Sequence, residues 1–176
     1  MASIFGHGVL GYTISKVASK TISKQLVVLA IVSSILPDID VLTFHFGISY
    51  ESPFGHRGFT HSILFALIWT VSIMYVFGKN QKKLYFLVIF FSTISHGFLD
   101  AMTTGGRGVG FFIPFDDERY FLPFRMIKVS PLNVAHFFSE WGWQVILSEL
   151  KYIFVPCIIV LIFSYKHDFY HPLKRK

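Results

Sequence analysis

Long apolar stretches alternate with short polar motifs along this chain. The clearest stretches cover residues 62–78, 84–99 and 152–165, and a fourth covers 25–36. All fall at or below the roughly 20 residues a helix needs to cross a bilayer. Each reaches full length by running on into the polar motif beside it, the fourth toward Val41. A further apolar segment, 4–17, is rich in glycine and predicts either a fifth helix or a re-entrant one. No internal repeat or low-complexity linker divides the chain. Residues 1–176 therefore predict one membrane-embedded domain, an all-α integral membrane bundle of four or five transmembrane helices.

Residues 101–149 predict a long segment that covers one end of that bundle. TTGGRGVG at 103–110 reads as a flexible, glycine-rich loop carrying Arg107. FFIPF and RYFLPFR come after it, with Arg119 and Arg125, and suit the headgroup zone. Ser130 as cap and Pro131 at the first position predict a helix from there toward Leu150. Pro156 predicts a kink in the final span.

Composition agrees with a membrane protein. The chain is 53% hydrophobic, its mean hydropathy is +0.55, and only 15% is charged, against about 25% in soluble domains. Its 21 Phe suit a lipid-facing surface. The net charge of +6 raises the question of nucleic acid. Many of the basic residues flank apolar stretches, however, where they meet lipid headgroups, so no nucleic-acid partner is expected. The lone Cys157 excludes an intrachain disulfide and any multi-cysteine metal site. The N-terminus lacks the layout of a signal peptide.

The basic residues also set orientation. Lys16, Lys20 and Lys24 precede the 25–36 stretch; Lys79, Lys82 and Lys83 join the next pair; Lys166, Lys174, Arg175 and Lys176 lie beyond the last. Threading the spans in order puts all three groups on one side, which the positive-inside rule makes cytoplasmic. Segments 37–60 and 101–149 then lie on the opposite side, and His7 joins them if 4–17 crosses.

That threading brings three acid–histidine motifs to one depth: Asp38 and Asp40 in LPDID, His56 and His61 in HRGFTH, and His96 and Asp100 in HGFLD. Ionisable groups at the edge of a bilayer are costly and tend to be functional. His96 and Asp100 share a helix face one turn apart. They suit one ion, or an Asp that merely orients a His. The close Asp38–Asp40 pair after Pro37 either shares a cation or forms a solvated turn that caps the next element. Thr60 reads as a helix cap beside His61, and Gly58 lets the His56 and His61 rings converge. Arg57 either binds phosphate through its planar fork or pairs with a nearby acid. Glu149 is a later contributor or an interfacial charge. His45, His136, His167 and His171 fit no comparable pattern.

Mixed Asp and His ligands without cysteine suit zinc first, then manganese or iron, as one or two ions. A bound ion would make hydroxide available near neutral pH, with a spare carboxylate, Asp38 or Asp100, as general base.

With these motifs in view, the chain resembles the YdjM family. These are bacterial inner-membrane proteins described as metal-dependent hydrolases and as LexA-regulated or LexA-binding. The matching pieces are His7 with Gly11, LPDID at 36–40, HRGFTHS at 56–62, HGFLDAMTTGGRG at 96–108, RYFLPFR at 119–125, VSPL at 129–132 and SE at 148–149. The resemblance implies His7, Asp38, Asp40, His56, His61, His96 and Asp100 as metal-site residues. It also implies a multi-pass protein of the inner membrane.

The expected function is metal-dependent hydrolysis of a lipid-like or phosphate-bearing amphiphile at the periplasmic face. Asp38, Asp100 and Arg57 are the candidate catalytic groups. Arg57, Arg107, Arg119 and Arg125 suit an anionic headgroup. The alternatives are a divalent-metal transporter or sensor, which needs polar residues continuing through the spans, and a regulatory protein acting through its basic ends.

Overall fold

The structure is a computed structural model that describes residues 1–19 and 21–170, without the side chains of residues 134, 135 and 166–170. Lys20, His171, Lys174, Arg175 and Lys176 lie outside the described residues, as do the side chains of Lys166 and His167. Among the described residues every regular element is helical, with no strand and only isolated bridges at Thr103–Ile127 and Val109–Tyr120.

Helix α1 (Ile4–Ala18) is capped by the Ser3 hydroxyl, which accepts from the Gly6 amide. It turns back into α2 (Lys24–Ile35), capped in the same way by Ser23. The two helices pack closely because Gly11 has no side chain; a Cβ there would lie 2.5 Å from Ser34 Oγ. Helix α3 (Ile63–Phe77) and helix α4 (Lys82–Ala101) form the next antiparallel pair. α4 is the central element, packed against α1, α2 and α3. Hydroxyls inside these helices are satisfied locally: Thr13 donates to the Val9 carbonyl, Ser34 to Ile31 and Thr93 to Ile89. This lets polar side chains sit within an apolar environment.

The α2 helix runs on through LPDID toward Val41, as its length required, and does not end there in a solvated turn. It continues as a 3-10 helix, Leu36–Phe46, and stops at Gly47 with φ 73°. Pro37 has no N–H for the Ser33 carbonyl, so the α-helical ladder cannot continue and the tighter winding takes over. Lys24–Phe46 thereby reaches 23 residues, long and apolar enough to cross a membrane.

The last helix also differs from expectation. Ser130 and Pro131 do not start a helix: the chain has no regular structure there, the Ser130 amide donates to the Met1 carbonyl, and the first helical turn comes at Val134. A short turn, α5 (Val134–Phe137), precedes α6 (Glu140–Glu149), a π-helical turn (Leu150–Phe154) and α7 (Val155–Tyr170). The span predicted to begin at 152 therefore begins at Glu140, and Glu140–Tyr165 runs 26 residues. Pro156 cannot donate to the Tyr152 carbonyl, and the π turn just before it absorbs that break. With Lys79–Ala101, three helices among the described residues are long and apolar enough to cross, and Ile63–Phe77 is a shorter apolar one.

Packing is inverted relative to a soluble protein. Tyr75, Val76 and Phe163 stand exposed on the outside, while His7, His96 and Asp100 are fully buried. One apolar core (Leu26, Ala30, Ile73, Val88, Ile89) fills the lysine-bearing half of the bundle. A second (Ala2, Leu99, Ile127, Ile153) fills the other half. Residues 102–133 fold over this second end through Leu122 N–H to Ala101, Ile127 N–H to Met102, and the paired amides of Val109 and Tyr120.

Candidate metal centre

Three elements deliver ligands to one point. The 3-10 extension of α2 carries Asp38, the 3-10 turn Phe59–His61 carries His61, and the end of α4 carries His96 and Asp100. One oxygen or nitrogen from each of these residues lies within 4.8 Å of the others. His96 Nε2 is 3.3 Å from Asp38 Oδ1, and His61 Nε2 is 3.8 Å from Asp38 Oδ1 and 3.7 Å from Asp100 Oδ2. A tetrahedral ion about 2.1 Å from each donor would separate neighbouring donors by about 3.4 Å. These three separations bracket that value.

The state of these atoms is the stronger test. Asp38 Oδ1, His61 Nε2 and His96 Nε2 are buried and lack a hydrogen-bond partner among the described residues, and they meet at Asp100 Oδ2, which is buried with the Arg57 guanidinium 3.0 Å away. Buried polar groups are normally satisfied. Three unsatisfied buried atoms converging beside a buried carboxylate make a donor set that fits a divalent ion.

The opposite nitrogen of each ring is already committed. His96 Nδ1 lies 2.8 Å from the Ser34 carbonyl, and His61 Nδ1 lies 3.1 Å from Asp40 Oδ2. Both partners can only accept, so Nδ1 carries a proton in each ring and Nε2 is the nitrogen left to face the centre and, in His61 after losing its own proton, to meet an ion. Burial opposes charge on His61, but the carboxylates of Asp100 and Asp40 on either side of the ring outweigh it and push its pKa up to about 9.

Asp40 and His56 also lie close to His61 and form a second trio of potential ligands with it. Their atoms, however, are paired with one another. Asp40 Oδ1 is 2.7 Å from His56 Nδ1, and Asp40 Oδ2 accepts from the Arg57 amide at 3.0 Å and the Thr60 hydroxyl at 2.7 Å. The difference between Asp38 and Asp40 comes from the 3-10 winding. At three residues per turn, positions two apart point about 120° apart around the axis. Burial lowers the His56 pKa, against the pull of Asp40. Thr60 is not the helix cap; Ser62 is, accepting from the Phe65 amide, and Thr60 is free to bind Asp40.

His7 lies flat on His96, with ring centroids 3.7 Å apart, and its Nε2 is 3.4 Å from Asp100 Oδ1. It borders the four-donor cage without joining it. The structure thus gathers all seven predicted ligand residues, in two layers. His45 and His136 are exposed and take no part.

Arg57 takes the plainer of its two sequence readings. It is 1% exposed, and its Nε lies 3.0 Å from Asp100 Oδ2. Its other nitrogens reach Thr103 Oγ1 and the carbonyls of Asp100 and Gly105. It is spent inside the fold and is not positioned to bind a phosphate. The TTGGRG loop is what wraps it. Gly106 has φ 87°, and a Cβ there would meet Arg57 Nη1 at 2.5 Å. The segment read as a flexible loop is therefore held against a buried guanidinium. Arg119 is likewise occupied, donating to the carbonyls of Tyr50, Ser52 and His56. Arg107 pairs with Glu51 on the surface, and Arg125 stacks over Phe121.

Glu149 proves to be an internal residue of the last membrane helix. It is 2% exposed and accepts from both the amide and the hydroxyl of Ser3. The neighbouring Ala2 amide donates to Asp100 Oδ1 at 2.8 Å. Two carboxylates from two helices thus anchor the entry to α1. The signal for this was available in the sequence: an acid within an apolar helix, once that helix is seen to begin at Glu140.

Comparison with known proteins agrees with this architecture. The family model described as YdjM inner membrane protein matches residues 1–170. Inner membrane protein YbcI of Escherichia coli (strain K12) is 40% identical over 147 residues, covering 81% of this chain and 84% of that protein. No solved structure matches the chain. With this match over nearly its whole length, the chain belongs to the YdjM family of inner membrane proteins.

Proposed function

We propose that this protein is a metal-dependent hydrolase of the inner membrane that acts on a lipid-like or phosphate-bearing amphiphile. The observation that carries this reading is the convergence of four buried donors, Asp38, His61, His96 and Asp100, three of them without another partner. These would hold one divalent ion, zinc by the mixed nitrogen and oxygen set and the near-tetrahedral spacing. Asp40 and the Ser34 carbonyl orient the two rings, and His56 supports Asp40. Arg57 neutralises Asp100 from behind.

When bound, such an ion polarises the scissile group and makes hydroxide available from water near neutral pH. The chain's own contribution is position and proton handling. Asp38 is the only one of the four ligands with side-chain exposure, 11% against none for the others. It therefore faces the approaching substrate and is placed to take the proton of an attacking water. Water adds to the ester, amide or phosphoester centre, the leaving group departs, and the proton passes from Asp38 to the leaving group.

The site is proposed to face the periplasm. Lys16, Lys24, Lys79, Lys82 and Lys83 occupy the helix ends opposite the donors, which supports a cytoplasmic placement for those ends. A conduit for metal ions has less support. On that side of His96 the buried polar side chains among the described residues are hydroxyls alone, Thr13, Ser15, Ser33, Thr70, Ser92 and Thr93, and the apolar core around Ala30, Ile73 and Ile89 packs there.

The test is elemental analysis of the purified protein with turnover of a panel of ester, amide and phosphoester amphiphiles. One ion per chain is expected, lost together with turnover in His61→Ala and Asp100→Ala. Protein that folds but carries no stoichiometric metal under any loading condition would end the hydrolase reading.

A further inference from the structure

An apolar groove of about 690 Å³ runs between α1, α2 and the last helix. Each of the long walls is one helical face: Ile4, Gly8 and Tyr12 on α1, and Ile146, Leu150 and Phe154 opposite. The Ile4–Tyr12 wall is about 12 Å long at helical rise. Gly8 leaves the α1 wall low against Ile31 and Ile35; a Cβ there would lie 3.7 Å from each, in ordinary contact, whereas a larger side chain would enter the groove. Ser3 and Glu149 also border it but are bonded to each other.

A smaller cavity of about 400 Å³ adjoins it and shares Ile4 and Ile35. This cavity contains Asp38, whose remaining neighbours there are Val32, Leu36 and Ile39. The one exposed ligand of the cage is thus reached past exposed apolar side chains, Ile4 at 52% and Ile39 at 53%. The opposite approach is closed by Arg57 and the loop at 103–106. A water-soluble substrate has no physical reason to use such an entrance, whereas a lipid already stands beside it.

We propose that the α1–α2–last-helix groove is an acyl-chain site that holds the tail of a membrane lipid whose polar end lies at Asp38. That the lipid is a substrate rests on the hydrolase reading; that the groove holds a chain does not. Size alone does not choose this groove. A larger one, about 910 Å³, lies between α1, α4 and α7, but it shares no residue with the cavity at Asp38. Continuity with Asp38 is the distinguishing feature, and the larger groove serves as an internal control.

The experiment uses the full chain in vesicles of phosphatidylethanolamine and phosphatidylglycerol. A trace of phosphatidylethanolamine carries a diazirine on its acyl chain, and cross-linked peptides are mapped by mass spectrometry. Label is expected to concentrate about tenfold on residues 4–12 and 146–154 over the larger groove's Leu87–Phe91 region. A diazirine early in the chain should mark the Ile35–Ile39 side, and one at its end should mark Tyr12 and Phe154. Gly8→Phe and, independently, Leu150→Trp fill the groove from opposite walls. Each should cut its labelling about tenfold while metal content and larger-groove labelling stay constant.

Equal labelling of both grooves, or groove labelling that neither variant reduces, would overturn the proposal, as would the reversed order of early and late diazirines. Groove labelling in protein that binds no metal would support the chain site and remove the hydrolase reading. Metal binding without groove labelling would do the opposite.

Discussion

Asp40 Oδ2 lies 3.1 Å from His61 Nδ1, so this carboxylate fixes the ring whose other nitrogen faces Asp38 and Asp100. Asp40 therefore sits behind a ligand rather than among the four converging donors. Asp40→Asn is expected to keep the donors but weaken their hold on zinc by about 10- to 100-fold, the usual cost of losing such a partner. His96→Ala, which removes a donor outright, should cost more. Competition against a chromophoric chelator measures both. Equal losses in the two variants would make Asp40 a direct ligand instead.

The pKa of His61 predicts a pH dependence. In metal-free protein it is raised to about 9, so the ring is charged at neutral pH and an entering ion must displace its proton. Apparent zinc affinity should therefore rise as pH increases from about 6.5 toward 9. Calorimetry in two buffers of different ionisation enthalpy should register proton release on binding. For folding without metal the sign is opposite. A raised histidine pKa contributes stability that is fully present below its unfolded value and is lost as pH rises through about 9. Thermal unfolding of chelator-treated protein across that window checks the second statement.

Arg57 and Asp100 form a fully buried ion pair, 1% and 0% exposed. Removing one partner leaves the other charge uncompensated, at a cost of about 3–5 kcal/mol. Arg57→Ala should therefore destabilise strongly. Arg57→Lys should rescue little, because a single ammonium cannot also reach Thr103 and Gly105. Gly106→Ala should produce a milder form of the same defect, about 1–3 kcal/mol, since the left-handed backbone and the guanidinium both exclude a Cβ. Unfolding in detergent, monitored by far-ultraviolet dichroism, ranks the three.

Glu149 and Ser3 give a test of how α1 is held. Glu149→Ala strands the buried amide and hydroxyl of Ser3, at about 1–3 kcal/mol for each unsatisfied group. Glu149→Gln keeps an acceptor and should retain most of the stability. Because Ser3 leads into the helix that carries His7, hydrogen exchange at 2–8 should rise in the alanine variant first.

Much of this was legible in the chain. Apolar stretches marked the helices, and lysines at alternate ends set how they thread. That threading alone placed Asp38, His61, His96 and Asp100 at one depth, because a membrane fixes where each helix must end. The i, i+4 spacing of His96 and Asp100 put both on one face of α4. Boundaries set by competing backbone bonds were not legible. Ser130-Pro131 advertised a helix start, but that stretch is tied to the N-terminus through the Ser130 amide and Met1 carbonyl, and the long last helix begins only at Glu140 and runs on without a break through Glu149.

The sequence by itself determined that this protein is an apolar helical bundle with its acids and histidines gathered at one end, since hydrophobic length and charge placement are local properties of the chain. The tertiary structure decided what each of those groups does. Asp38 and Asp40 look equivalent as letters, but a 3-10 helix started by Pro37 turns one toward His96 and the other toward His56. Arg57 looks like a substrate anchor, but the glycines at 105 and 106 close over it and assign it to Asp100. Which partner a polar group finds depends on which backbone comes within about 3 Å of it, and that is settled only when distant segments pack.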